Sequence, residues 1–340
     1  MTLEQKILQF LDRPSEGEFE ALALEVYRFQ RTHNAIFSRY CDFLGTPLEL
    51  VSWKDIPGVP QQAFKHSELR SYSAELDSAE FRTSGTTGEG YGRHFFPTLR
   101  LYEAAVQRTW DHFRLPWNPF LLLMQHPDDA PFSSLSRMGG ILNGYQREKF
   151  FVTQGGELEV DRFRAAVEKE RGPITVFGTA LAFLHLFESS QPITLAAQSI
   201  AMETGGFKGS GREITKRELY TQFTDHFRIE ADSIWNEYGM TELSSQFYSY
   251  GASRPHLGPP WVRSLVIDPD TNTEANQGEL GLLRIIDLTN LWSVIGIQTQ
   301  DLAKANPDGG FQLLGRDPAG LPRGCSRAMD SLLAGNHLAP

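Results

Sequence analysis

Apolar residues change their rhythm along this chain, and each change predicts a different kind of element. Phe19, Leu22, Val26, Phe29, Ile36 and Tyr40 recur at helical spacing and predict one long amphipathic helix, or two. Residues 52–60, with Pro57 and Pro60, read as a stiff loop that delivers residues 61–69. A second helical face runs over residues 99–113, marked by Tyr102, Ala105, Val106, Trp110 and Phe113. Beyond residues 116–119 the pattern alternates. Short apolar runs at 120–124, 174–177 and 193–197, and a strand end at 233–236, are separated by helical patterns over 160–167, 180–187 and 213–227. This alternation predicts an α/β fold around a mostly parallel sheet. Polar loops after such strands are where ligands bind in these folds. After Gly251 the helical patterns stop. Residues 261–267, 281–286 and 294–298 read as strands joined by turns such as Asp268-Pro269-Asp270, a smaller antiparallel sheet or barrel packed on the first region. The expected organisation is an α/β core over 1–250, a β-rich subdomain over 251–317 that completes it, and a short flexible tail over 318–340.

Composition narrows the possible functions. A chain of 340 residues can bury a large core, as one big domain or two unequal ones. A formal charge of −10 argues against nucleic acid or an anionic membrane as the main partner, while leaving room for a local positive pocket. The first residues hold only a very short apolar stretch without a small-residue cleavage site, so no signal peptide is expected. No apolar run approaches the length of a membrane span, and no integral membrane association is expected. Cys41 and Cys325 are the only cysteines. A distant disulfide is one reading; two free thiols in a reducing cytoplasm is the expectation. CxxC, HExxH, GxSxG and GxGxxG are all absent.

Candidate chemistry concentrates in four polar loops and one tail. Thr83, Ser84, Gly85, Thr86, Thr87 and Gly88 pack hydroxyls and glycines into six consecutive positions. Glycines let a backbone turn sharply and approach a ligand. Successive N–H groups in such a turn make an anion-binding concavity. A lysine straight after the last glycine would mark a Walker A loop, and Glu89 stands there instead. A plain surface turn is the alternative. Glu203-Thr-Gly205-Gly206 suits a loop over a planar ligand, or a helix cap. Asn236-Glu-Tyr238-Gly239-Met-Thr241-Glu242 presents carboxylates and a threonine around a glycine, a donor set suited to magnesium held largely through a nucleotide's phosphates, or an ordinary turn. Asp301 ends another predicted strand. His66, His94 and His126 are scattered and read as solvated or core histidines. Cys325, between Arg323 and Arg327 in a glycine-containing segment, has the setting of an accessible thiolate nucleophile; an inert thiol is the alternative.

In this order the loops resemble those of the adenylate-forming enzymes, the superfamily of acyl- and aryl-CoA ligases, adenylation domains and luciferases. Thr83-Ser-Gly-Thr-Thr-Gly88 resembles its phosphate-binding loop, Tyr238-Gly-Met-Thr-Glu242 its YGxTE signature, Thr299-Gln-Asp-Leu302 its TGDL motif and Gly315-Arg-Asp317 its hinge. Within that superfamily the chain is similar to the acyl-protein synthetases of the LuxE family. The likeness lies in Ile56-Pro-Gly-Val-Pro60, Ala63-Phe-Lys-His66, Arg82 to Gly88, Gly92-Arg-His94 and Arg323-Gly-Cys-Ser326. The resemblance implies ATP and Mg2+ as cofactors, a fatty acid as substrate, and a protein acyl acceptor such as a partner reductase. It further implies that Ser84, Thr86 and Thr87, in the loop opened by Thr83, contact the ATP phosphates, with Gly85 and Gly88 allowing the approach. Glu242 would hold Mg2+ and Thr241 the α-phosphate. Gly205, Gly206 and Tyr238 would line the adenine, Gly239 would belong to the same cofactor-binding set, Asp301 would bind the ribose, and Arg316 would lie near the phosphates or ribose. Cys325 would carry the acyl group.

The departures from the pattern are specific. The loop continues into Gly90-Tyr-Gly92 and Arg93 rather than PKG, and TGDL has become TQDL at Gln300. Only 23 residues follow Asp317, so a full-size C-terminal domain with its catalytic lysine is expected to be absent. Phe120 to Met124, Phe177, Phe183 and Phe187 are read either as lining an acid pocket or as core. Two other functions remain open: adenylation of a small or aryl acid for a carrier protein, and a degenerate nucleotide-binding partner subunit.

Overall fold

The structure, a computed structural model, describes residues 1–15, 17–83, 90–205, 214–307 and 309–316. The helical rhythm near the N-terminus resolves into two helices, Glu18–His33 and Ala35–Phe43. They break at Asn34, whose extended backbone lets its side chain accept from Phe37 N at 3.0 Å and cap the second helix. A shorter helix, Leu3–Asp12, precedes them behind a Thr2/Gln5 capping box. Gln30 sits fully buried on the apolar face. Its amide donates to Asn290 O and Leu291 O and accepts from Ile295 N, so this buried polar group is satisfied and fastens the helix to the 290–295 turn. Strand β1, Val59–Pro60, follows, and then an antiparallel hairpin of β2, Ala79–Arg82, and β3, Arg93–Phe96.

The alternating region forms a six-stranded sheet from β4 (Phe120–Gln125), β5 (Phe150–Val152), β6 (Thr175–Thr179), β7 (Ile200–Thr204), β8 (Ile234–Tyr238) and β9 (Phe247–Tyr250). Its order is β5-β4-β6-β7-β8-β9, parallel throughout except for β9 against β8. Helices Val160–Lys169, Ala180–Ser189 and Lys216–Phe227 bury Phe163, Phe183 and Phe223 in one core with Leu121, Leu123, Val176 and Ala201 of the strands. Phe183 lies 4.5 Å from Phe223 and 6.1 Å from Phe227 between ring centroids, so it packs as core. One expected run is corrected. Residues 193–197 are not a strand: Ile193 N and Leu195 N donate to His226 O and Phe227 O, and the strand is Ile200–Thr204.

The strands expected after residue 251 are β10 (Val262–Ile267), β11 (Leu280–Asp287) and β12 (Gly296–Ala305), with β13 (Phe311–Arg316) added. They pair antiparallel, and β1 joins them parallel to β12, giving a five-stranded sheet. The chain forms two compact units. One comprises Met1–Thr109, Met240–Ser245 and the described residues from Pro255 on; the other comprises Trp110–Gly239 and Gln246–Arg254.

Candidate active site

In the first unit the hairpin β2–β3 flanks the hydroxyl/glycine loop. Ser84, Gly85, Thr86, Thr87 and Gly88 lie outside the described residues. At the loop's base Thr83 N donates to Gly92 O at 2.9 Å, and Gly92 N donates to Thr83 Oγ1 at 2.8 Å. Thr83 Oγ1 is thus an acceptor here, with its hydrogen left for another partner. A Cβ at Gly92 would come within 3.0 Å of Thr83 Cγ2, which accounts for glycine at that position. Strand alternation puts Glu80, Arg82 and Arg93 on one face. Arg82 and Arg93 stand directly opposite each other and both donate to Glu80, at 2.8 and 2.7 Å. Burial disfavours the Glu80 carboxylate, but bonds from Arg93 and Arg82 outweigh it and hold its pKa at about 2. The opposite face carries Phe81, Phe96 and the buried His94.

His94 connects this hairpin to the signature turn. Its Nδ1 donates to Thr241 O at 2.9 Å, and Thr241 Oγ1 donates across a long 3.5 Å to Arg82 O. Burial lowers the His94 pKa to about 4, against the pull of that carbonyl, so the ring is neutral. Beyond Thr241, Glu242 is 7% exposed, and its carbonyl accepts from Asn290 Nδ2 at 2.9 Å. Asp287, fully buried at the end of β11, accepts from Ser244 N, Ser245 N and Thr289 N and from the Ser245 and Thr289 hydroxyls. Burial still raises its pKa, although these donors work the other way.

Sequence reasoning missed Asp287 and Asn290, and read His94 as a solvated or core histidine. The one local signal was the turn spelled Asp287-x-Thr289, in which the carboxylate accepts from the following Thr289 N–H. Among the described residues no three His, Cys, Asp or Glu side chains cluster as a metal cage. Glu242 is a buried carboxyl group of the chemical type that magnesium takes beside phosphate and water ligands.

Asp301 and Arg316, also in the first unit, are cross-strand partners on β12 and β13, with Nε 3.5 Å from Oδ1. Asp301 N donates to Thr299 Oγ1, which donates to Leu283 O, so the bulge around Gln300 within β12 is tied to β11. Cys325 lies outside the described residues. Cys41 is fully buried, and burial pushes its thiol up to about 12, which disqualifies it as a nucleophile.

The second unit holds Gly205, Tyr238 and Gly239 at the carboxyl ends of β7 and β8; Gly206 lies outside the described residues. Gly205 has φ +75°, a conformation glycine adopts freely. Any side chain at Gly239 would collide with the Glu237 carboxylate. Two fully buried carboxyl groups end these strands on opposite faces. Glu203 accepts from Asn236 Nδ2 at 2.6 Å and Tyr220 Oη at 3.2 Å, and Glu237 accepts from Thr204 Oγ1. Burial, the largest influence on each, raises both to about 7.

No family model matches the sequence. The chain is 23% identical over 324 residues to the long-chain-fatty-acid–luciferin-component ligase of Aliivibrio fischeri, covering 87% of this chain and 83% of that protein. In three dimensions it is similar to 2-hydroxyisobutyryl-CoA ligase in complex with 2-HIB-AMP, with a TM-score of 0.65 at 15% identity over 89% of this chain and 69% of that one. The fold is that of the adenylate-forming enzymes. ATP-bound MatB from Rhodopseudomonas palustris shares this adenylate-forming fold with a TM-score of 0.52 at 16% identity. That match covers 72% of this chain and 49% of MatB, so the chain spans about half of MatB's length. The likeness drawn from the motifs is borne out by both kinds of comparison. No helix among the described residues is long and apolar enough to cross a membrane.

Proposed function

We propose that this chain is an ATP-dependent ligase that activates a fatty acid as its acyl-adenylate, transfers the acyl group to Cys325, and passes it to a partner protein such as a reductase. The observation that carries the reading is the meeting of two motifs: Thr241, far along the chain and adjacent to Glu242, reaches the base of the hydroxyl/glycine loop through His94 and Arg82. The A. fischeri relative, named for a long-chain fatty acid and a ligase reaction, supports the choice of acid.

The chemistry follows from this placement. A carboxylate oxygen attacks the α-phosphorus of ATP, the bond to the β-phosphate breaks, and pyrophosphate leaves. Thr241 Oγ1 surrenders its weak bond to Arg82 O and donates to a non-bridging α-phosphate oxygen as charge builds there. Mg2+ held by Glu242 and the phosphates would neutralise part of that charge. Asp301 accepts from the ribose hydroxyls, and Arg316 beside it holds its charge near the nucleotide. The Cys325 thiolate, favoured by Arg323 and Arg327, then attacks the acyl carbon, and AMP leaves with the electron pair of the anhydride bond.

The test incubates the full chain with ATP, Mg2+ and a mixed acid library and reads the intact mass with and without hydroxylamine. A long-chain acyl adduct cleared by hydroxylamine is expected for the wild type and for Cys41→Ser. Cys325→Ala should lose the adduct and keep acid-dependent pyrophosphate exchange. Glu242→Gln should lower both by about 100-fold or more. An adduct that survives in Cys325→Ala removes that residue from the mechanism. Exchange with small or aryl acids alone would favour the carrier-protein reading, and ATP binding without exchange would favour a degenerate subunit.

A further inference from the structure

Glu242 lies between two peptide groups, and the carbonyls of both are held by side chains from elsewhere in the same unit. Thr241 O accepts from His94 Nδ1 and Glu242 O from Asn290 Nδ2, each at 2.9 Å. A peptide group is planar, so fixing its carbonyl fixes its N–H and the plane between them. With the planes before and after Glu242 Cα both fixed, the direction in which its side chain leaves the backbone is fixed as well. Asn290 also accepts from Ser244 N at 2.9 Å through Oδ1, so one amide spans the turn on both sides of Leu243.

His94 is held in turn by rings. Phe64 meets it edge-on at 5.3 Å and Phe96 lies 4.1 Å away between centroids. Its Nε2 is buried and meets no hydrogen-bond partner among the described residues. A phenyl ring would fill the same space without stranding that nitrogen, so the imidazole is justified by what Nδ1 does.

We infer that His94 and Asn290 are positioning residues that aim the Glu242 carboxylate at the metal. The inference rests on the reading of Glu242 as the Mg2+-holding group. Magnesium demands near-ideal octahedral geometry at short distance, so a carboxylate offered at the wrong angle binds poorly even when it is present. Neither residue touches substrate; both act through the backbone of the turn.

Two amides distinguish the ring nitrogens. Asparagine at position 94 places its NH2 where Nδ1 stands, and glutamine places it nearer Nε2. Calorimetric titration of ATP into the full chain at stepped Mg2+ concentrations gives the Mg2+ midpoint of nucleotide binding without any turnover. His94→Gln is expected to raise that midpoint about tenfold while leaving Mg2+-free ATP affinity unchanged. His94→Asn should stay near the wild type. Asn290→Leu, which strips the bond on Glu242 O while Ser244 N keeps Asp287, should behave like His94→Gln and serves if the glutamine variant does not fold. A wild-type midpoint in His94→Gln or Asn290→Leu, or equal shifts in the two His94 variants, would overturn the inference. Glu242→Gln is the separate control: if it leaves the midpoint unchanged, the metal reading of Glu242 has failed, and the inference falls with it for that distinguishable reason.

Discussion

Asp287 organises the signature turn although it reaches neither nucleotide nor acid in the proposed reaction. It is fully buried and gathers three backbone N–H groups and two hydroxyls, which together keep a carboxyl in the interior. Asp287→Ala strands Ser245 N and Thr289 N, while Ser244 N keeps Asn290. Each stranded buried donor costs about 1–3 kcal/mol, so a loss of about 3 kcal/mol in urea unfolding is expected, with a smaller loss for Asp287→Asn. An unchanged midpoint in Asp287→Ala would show that water reaches this turn. Thr241 and Glu242 were legible because a contiguous motif carries them. His94, Asn290 and Asp287 were not, because their contacts with the turn reach 147, 48 and 42 residues away, and only the Asp287-x-Thr289 turn leaves any local mark.

Elements were legible wherever burial leaves a continuous apolar run. β4 reads clearly because a central parallel strand is covered on both faces. The run at 193–197 misled for a related reason. It places Ile193 and Leu195 in the core, yet their N–H groups satisfy the orphan carbonyls at the end of helix Lys216–Phe227 instead of a ladder. The real strand, Ile200–Thr204, is masked in sequence by the buried Glu203. How tightly these strands pack is testable at Gly178, which pairs with Leu123 on β4. A Cβ there would stand 2.7 Å from Leu123 Cβ and 3.0 Å from Leu123 O, backbone that cannot rotate away. Gly178→Ala should therefore destabilise by about 1–3 kcal/mol. Gly172→Ala, with open space around the new methyl, should not. Equal denaturant midpoints for the two variants would mean that the β4–β6 contact is looser than these distances.

Across the whole molecule, four buried groups make opposing contributions to the dependence of stability on pH. Burial raises Glu203 and Glu237 from 4.5 to about 7 and lowers His94 and His226 from 6.5 to about 4. The carboxyls favour the folded state fully below pH 4.5, and that contribution is lost as pH rises through 7. The histidines act in reverse: their contribution is present above pH 6.5 and lost as pH falls through 4. Between 4.5 and 6.5 the opposing pairs offset, and these four groups together leave stability nearly flat. Removing one carboxyl breaks the balance. Glu237→Gln keeps an acceptor for Thr204 Oγ1 but has no proton to gain. Its stability should fall behind the wild type by about 1.4 kcal/mol for each pH unit of acidification from 7 to 4.5. Every other titrating group is common to both proteins and cancels in the difference. Urea unfolding at half-unit pH steps measures that difference directly. Two stability curves that run parallel from pH 7 to 4.5 would mean that Glu237 is ionised in the folded protein at neutral pH and is not held neutral by its burial.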